Sequence, residues 1–251
     1  MLTADEIRRY QRHIVLKNVG GPGQQKLKAA KVLIIGAGGL GSPVIAYLAA
    51  AGVGTIGVVD DDIVSLSNLQ RQMVHRTQDE GVTKVDSAKR FANALNPNVN
   101  FIAINQRLNE NNGAHIIAPY DFVVDGSDNF DTRALVAEFC AAAKIPLVAG
   151  AVSLFDGNLT VFAPFKDDNP RFSDLYPQRP TPDQLPSCEE AGILGPIINV
   201  ISSIEAAEAI KILSGNRHAI NKSLTVIDLW DNRMRSIGLD SLRATSENCD
   251  A

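Results

Sequence analysis

The amino-acid sequence predicts an α/β fold, a mostly parallel sheet with helices on both faces, extended by antiparallel strands in the C-terminal part. Three observations predict it. Short apolar runs alternate with helix-length segments from Lys31 to Ala149, the pattern of βαβ units. No charged residue occurs from Val32 to Val59, and strands buried on both faces of a parallel sheet read as such continuous apolar runs. After Gly150 the pattern changes, and Asn158–Phe162 alternates in the manner of an antiparallel strand. The expected organisation is one Rossmann-like domain over residues 1–251, with a helical arm at 1–30, a core of βαβ units at 31–150 and a mobile loop at 163–188.

The elements follow in chain order. Thr3 and Glu6 form a capping box, and the helix behind them puts Ile7, Tyr10 and Ile14 on one face and Arg8, Arg9 and Arg12 elsewhere. The stretch Gly20 to Gln25, rich in Gly and Gln, reads as a link to the first strand, Lys31–Ile35. A helix from Ser42/Pro43 to Ala51 follows, proline being tolerated in a first turn. Strands are expected at Thr55–Val59, Phe101–Ile104, Phe122–Asp125 and Leu147–Ala149, with helices at Val85–Leu95 and Thr132–Ala143. Six of the twelve prolines lie between Ala163 and Ser187, which excludes regular structure and predicts a long loop. Pro196 opens a helix running to about Leu213, Gly215 sits where a C-cap glycine belongs, and Ser223–Asp228 is a last strand before a polar tail.

Composition excludes several classes. With 24 Lys+Arg against 28 Asp+Glu, the net charge is −4, which argues against sequence-independent binding to nucleic acid. The uncharged run 32–59 is long enough to span a bilayer, but its glycine clusters and Pro43 suit a strand, a turn, a small-residue helix and a second strand, so no membrane partner is expected. Three scattered cysteines, Cys140, Cys188 and Cys249, cannot make a disulfide framework and fit a reducing compartment. The N-terminus lacks the basic start and apolar stretch of a signal peptide, so a cytoplasmic location is expected.

The strongest local signal is Gly36-Ala37-Gly38-Gly39-Leu40-Gly41 between a strand and a helix. Glycines let the backbone turn tightly and approach phosphate at a helix N-terminus. Asp60 follows 24 positions after Gly36, at the end of the next strand, where a carboxylate can accept from a ribose hydroxyl. This pair predicts nucleotide binding without separating NAD from ATP. Ser67-Asn68-Leu69-Gln70-Arg71-Gln72 and then Lys84 supply donors for further anionic groups. Asp125-Gly126-Ser127-Asp128-Asn129 ends the fourth strand, at the sheet edge where ligands bind. Asp128 is placed there to hold Mg²⁺, or else to cap the helix before Thr132.

These blocks, with Arg9-Tyr10-Gln11-Arg12-His13-Ile14 and Ser187-Cys188-Glu189-Glu190-Ala191-Gly192, resemble the ThiF/MoeB/HesA family, bacterial relatives of ubiquitin-activating enzymes. The resemblance implies an enzyme that uses ATP and Mg²⁺ to adenylate the terminal glycine carboxylate of a small ubiquitin-like sulfur carrier, ThiS- or MoaD-like, releasing pyrophosphate before thiocarboxylate formation in thiamine or molybdopterin synthesis. Carried over residue by residue, it implies that Gly36, Gly38, Gly39 and Gly41 face the phosphates, with Asp60 on the ribose and Asp62 beside it. It implies that Asn68, Arg71 and Lys84 bind phosphate, that Ser67, Leu69, Gln70 and Asn129 belong to the same cofactor site, and that Asp128 binds Mg²⁺. Arg12 would reach the γ-phosphate of the other subunit of a homodimer, and Cys188 would form a thioester or persulfide, the latter drawing on a sulfur donor enzyme.

The chain departs from the family in one respect. Many members carry two Cys-x-x-Cys pairs that bind a structural zinc; here Arg171–Tyr176 takes the place of the first pair and only Cys249 lies near the second, so no structural zinc is expected. Glu205, Glu208 and Lys211 read as the solvated face of a helix, Cys140 as core, and His13, His75, His115 and His218 as isolated structural or surface groups. An NAD-dependent oxidoreductase and a non-catalytic carrier-binding protein remain as alternatives.

Overall fold

The computed structural model describes residues 1–166, 169–179, 192–216, 220 and 222–240. Eight strands form one sheet in the order β3-β2-β1-β4-β5-β6-β7-β8. Strands β1 (Lys31–Ile35), β2 (Thr55–Val59), β3 (Asn100–Ile104), β4 (Phe122–Asp125) and β5 (Leu147–Ser153) run parallel, and β6 (Asp156–Phe162), β7 (Ser223–Asp228) and β8 (Arg233–Gly238) continue antiparallel. The mixed sheet is therefore the one the sequence predicts, and β1, β2 and β4 have the predicted ends.

Side chains alternate across each strand, so the parallel strands feed two cores. Val32, Ile34, Ile56, Val58, Phe122 and Val124 face one side, under helices α3 (Gly20–Ala29), α4 (Gly41–Ala51), α5 (Lys84–Leu95) and α9 (Gly195–Ser214). Leu33, Ile35, Val59, Val123 and Leu147 face the other, under α6 (Gly113–Ile117), α7 (Phe130–Ala143) and the short α8 (Phe172–Leu175). Cys140 is core, as expected, and burial pushes its thiol well up, which keeps it inert. No helix among the described residues is long and apolar enough to cross a membrane.

Four expectations change. The arm is α1 (Ala4–Arg9) and α2 (Gln11–Ile14), broken at Tyr10, rather than one helix. The Gly/Gln stretch is α3, not a link: Gly23 packs against Ser214 of α9, and buried Gln24 donates to the Ala51 carbonyl. Tertiary contact there overrides low helix propensity. Strand β8 follows β7 through a turn held by Asp228, whose carboxylate accepts from the Trp230 and Asp231 N–H groups. The proline-rich segment contains α8, where Phe172 is buried against Phe130, Phe162 and Tyr176. The end of that segment, with Cys188, and His218 and the tail lie outside the described residues.

Gly52 ends α4 with φ of +77°, and a Cβ there would stand 2.3 Å from the ring of buried Tyr10. The Tyr10 hydroxyl accepts from Asn96 Nδ2 at 2.8 Å, so the ring cannot swing away freely. Gly52→Ala should therefore cost at least about 2 kcal/mol in urea unfolding, and a change within about 0.5 kcal/mol would show that the arm gives way there.

Candidate functional site

Strand order reverses between β1 and β4, and a cavity of about 440 Å³ opens at the carboxyl ends of these strands. Gly36 turns the chain out of β1 with φ of +89°; a Cβ there would meet the Gly126 carbonyl at 2.9 Å. A Cβ on Gly41 would lie 1.8 Å from the Gly36 carbonyl. These two glycines make the turn, whereas Gly38 and Gly39 line the cavity with bare backbone. Gly41 is buried beneath it and lines nothing. Ser202 of α9 donates to the Leu40 carbonyl at 2.8 Å, and Ile198 covers Gly39, so α9 closes the loop from above.

Asp60, at the end of β2, accepts from the Ala37 N–H and the Asp62 N–H, both at 2.8 Å. Burial raises its carboxyl pKa against the opposing pull of Lys84 and these N–H groups. Lys84 begins α5, capped by Thr83, and its side chain is 8% exposed, with the ammonium donating to Asp62 at 2.6 Å. Arg71 lines the cavity and is steadied by the Ser67 carbonyl at 3.0 Å. Across the cavity, Asn129 caps α7 by accepting from the Thr132 N–H at 2.9 Å. Asp128 is thus free of the capping role and lines the cavity, exposed.

Gly36, Gly38, Gly39, Asp60, Asp62, Arg71, Lys84, Asp128 and Asn129 therefore meet at one cavity. Ser67, Asn68, Leu69 and Gln70 do not line it; Asn68 is buried and accepts from the Ser65 N–H within its own turn. Arg12 is exposed on α2 and lines no part of its own chain's cavity. The sequence reading missed Gln72, whose Nε2 lies near Gly38 and whose buried Oε1 lacks a partner among the described residues, and Arg133, whose guanidinium donates twice to the Ser127 carbonyl. Gln72 ends a quoted motif, so a signal existed; Arg133 follows its motif by one helical turn and carried none.

Glu205 is the clearest correction. It was expected on a solvated face, yet it is fully buried on α9 against Gly150, while Glu208 pairs with Lys211. Among the described residues neither Glu205 oxygen has a hydrogen-bond partner, nor does Asp125 Oδ2. The Gly150 amide favours the ionised form without meeting hydrogen-bond geometry, and burial dominates, aided by the nearby Asp125 charge. The Glu205 pKa is held well above its ordinary 4.5. The folded protein therefore keeps a proton there that the unfolded chain releases above about pH 4.5, and stability falls as pH rises, by up to about 1.4 kcal/mol per unit. Glu205→Gln should remove this fall, so that its urea midpoint declines less than the wild-type midpoint between about pH 5 and 7. Parallel profiles would mean that the carboxyl ionises in the native state.

A glycine turn at the sheet's switch point thus faces an ammonium, a guanidinium and an exposed carboxylate in one cavity. The chain belongs to the ThiF family, whose model matches residues 10–251. It is 42% identical over 236 residues to the SAMP-activating enzyme E1 of Haloferax volcanii, covering 94% of this chain and 86% of that one. It is 43% identical over 238 residues to the sulfur carrier protein adenylyltransferase of Thermus thermophilus, covering 94% and 88%. The probable adenylyltransferase/sulfurtransferase MoeZ of Mycobacterium tuberculosis is 42% identical, and this chain spans only 61% of its length. Among solved structures, PaaA superposes with a TM-score of 0.80 at 23% identity, over 95% of this chain and 75% of that one. The E. coli MccB structure with ATP gives 0.74 at 23% identity, over 87% and 66%; at such identities the likeness is one of fold. The activity of this chain is that of an adenylyltransferase.

Proposed function

We propose that this protein joins AMP from ATP to the C-terminal glycine carboxylate of a small ubiquitin-like sulfur carrier, ThiS- or MoaD-like, as a step towards the carrier thiocarboxylate in thiamine or molybdopterin synthesis. The observation that carries this reading is the convergence of Lys84, Arg71 and Asp128 on the bare backbone of Gly38 and Gly39 in one cavity. The carrier carboxylate is already ionised, so it attacks the α-phosphorus without a general base. A new O–P bond forms as the bond to the β-phosphate oxygen breaks, and pyrophosphate leaves with the electron pair. Lys84 and Arg71 offset the charge that gathers in this step. The described residues that line the cavity include no histidine, in keeping with a reaction that needs no base.

The residues fit ATP and Mg²⁺. The orphaned Gln72 Oε1 and the bare loop leave room for a polar ligand, and Asp128 offers hard carboxylate oxygen not spent on a cap. Asp128 would hold the ion, which would neutralise phosphate charge. Cys188 would take the acyl group or carry sulfur from a donor enzyme, in a reducing cytoplasm. A homodimer would bring Arg12 to the partner subunit's cavity; exposed Ile7, Val15 and Leu16 beside Arg12 support a buried arm interface.

Asp128→Ala should lose carrier-dependent ATP–pyrophosphate exchange by at least about a hundredfold while circular dichroism stays unchanged, and wild-type exchange in that variant would overturn the role given to Asp128. Mixing inactive Arg12→Ala with inactive Asp128→Ala chains should restore part of the exchange, because a mixed dimer holds one intact site. No recovery, after subunit exchange has been confirmed by mass spectrometry, would place Arg12 in its own chain's reaction or outside the reaction.

A further inference from the structure

His75 carries a role beyond filling space. It follows the Gln72 turn, is 6% exposed, and both ring nitrogens are engaged. Nε2 lies 2.9 Å from the Ala37 carbonyl oxygen, inside the glycine loop, and Nδ1 lies 2.8 Å from Ser87 Oγ on α5. A carbonyl has no proton to give, so Nε2 must carry one and donate it. Ser87 in turn donates to Asp79 Oδ2 at 2.7 Å, and Asp79 is held by Arg90 at 2.6 Å. Burial draws the imidazole towards its neutral form, as does the Lys84 charge, while Asp60 and Asp79 act the other way. The single Ser87 proton goes to Asp79, and the Nε2–H that Ala37 requires is present in the neutral Nε2–H tautomer and in the imidazolium alike.

Ala37 is thereby gripped at both ends, its N–H by Asp60 and its C=O by His75. In a trans peptide the C=O of one residue and the N–H of the next point in opposite directions. His75 does not line the cavity and Gly38 does, so turning the Ala37 carbonyl towards His75 turns the Gly38 N–H away from it. The N–H groups of Gly38 and Gly39 have no hydrogen-bond partner among the described residues. Without the imidazole the Ala37–Gly38 peptide could flip at little cost, because glycine accepts φ of either sign. A flip would aim a carbonyl dipole at the place where phosphate charge is expected.

We propose that His75 is a positioning residue for nucleotide binding: its Nε2–H fixes the Ala37–Gly38 peptide so that the glycine loop offers N–H groups to phosphate, and Ser87 ties this setting to the helix that carries Lys84. The proposal rests on the reading that the glycine loop takes the phosphates of ATP.

The test is Mg-ATP affinity by calorimetry, with separate KM values for ATP and carrier, for His75→Leu and His75→Gln. Leucine keeps bulk and loses the donor; glutamine can place an amide N–H where Nε2 stood. His75→Leu should weaken Mg-ATP binding about tenfold and raise the KM for ATP while leaving the KM for carrier near wild type, and His75→Gln should regain most of the loss. A folded His75→Leu with wild-type ATP affinity overturns the proposal, as does a His75→Gln no better than leucine. Should His75→Leu fail to fold, ¹⁵N-edited NMR of the wild-type imidazole decides: a slowly exchanging Nε2–H supports the proposal, and a proton on Nδ1 alone overturns it. Wild-type protein that bound no Mg-ATP would overturn the nucleotide reading and this proposal together, whereas wild-type binding with unchanged variants would overturn this proposal alone.

Discussion

The backbone contact between the turn after β1 and the loop after β4 governs the rest of the molecule. Gly36, Gly41 and Gly126 meet with no room for a Cβ; one on Gly126 would stand 2.8 Å from the Gly41 nitrogen. Because these two backbones touch, the N-terminus of α4 and the Asp125–Asn129 loop share one cavity instead of facing apart. The parallel strands supply the rigidity, with β1 paired to β2 on one side and β4 on the other. Ligand chemistry sits on the loops and stability sits in the sheet, the usual division in open α/β folds.

Charge is arranged around that contact in two zones. Facing the cavity are groups that can change partners: Lys84 rests on Asp62, whose side chain is 66% exposed, and Arg71 rests on a backbone carbonyl. An exposed carboxylate beside a buried ammonium is a partner that phosphate can displace without stranding either charge. Behind the cavity, Asp125 and Glu205 are fully buried; among the described residues Asp125 Oδ2 and both Glu205 oxygens lack hydrogen-bond partners, and the Arg133 charge opposes the rise of both pKa values. A zone of exposed, loosely paired charge thus lies against one whose polar groups are desolvated.

Much of the fold was legible because parallel strands and the glycine turn leave local signals. Lys31–Ile35, Thr55–Val59 and Phe122–Asp125 are buried apolar runs bounded by turns. Strand β8 was not legible, since all six of its residues are exposed and no core face marks an alternation. Helix α3 was hidden by glycines whose use, a close approach to α9, is tertiary. At the site, the acidic and basic members of the motifs fell into the cavity, but Asn68 and Gly41 serve the loop's own geometry. Glu205 misled because i, i+3 charge spacing describes a helix surface only when that surface meets water. Phe172 packs among Phe130, Phe162 and Tyr176, a cluster visible only once the rings are placed.

The central claim is that the enzyme activates a carboxylate by attaching AMP to it. Intact-mass spectrometry of a ubiquitin-like carrier, incubated with the enzyme and Mg-ATP in the absence of any sulfur donor, tests this most directly. The account predicts a carrier species heavier by one adenylyl group, mapped to the C-terminal glycine and absent when that residue is amidated. An unmodified carrier, a phosphoryl adduct, or adenylation at a side chain would contradict it.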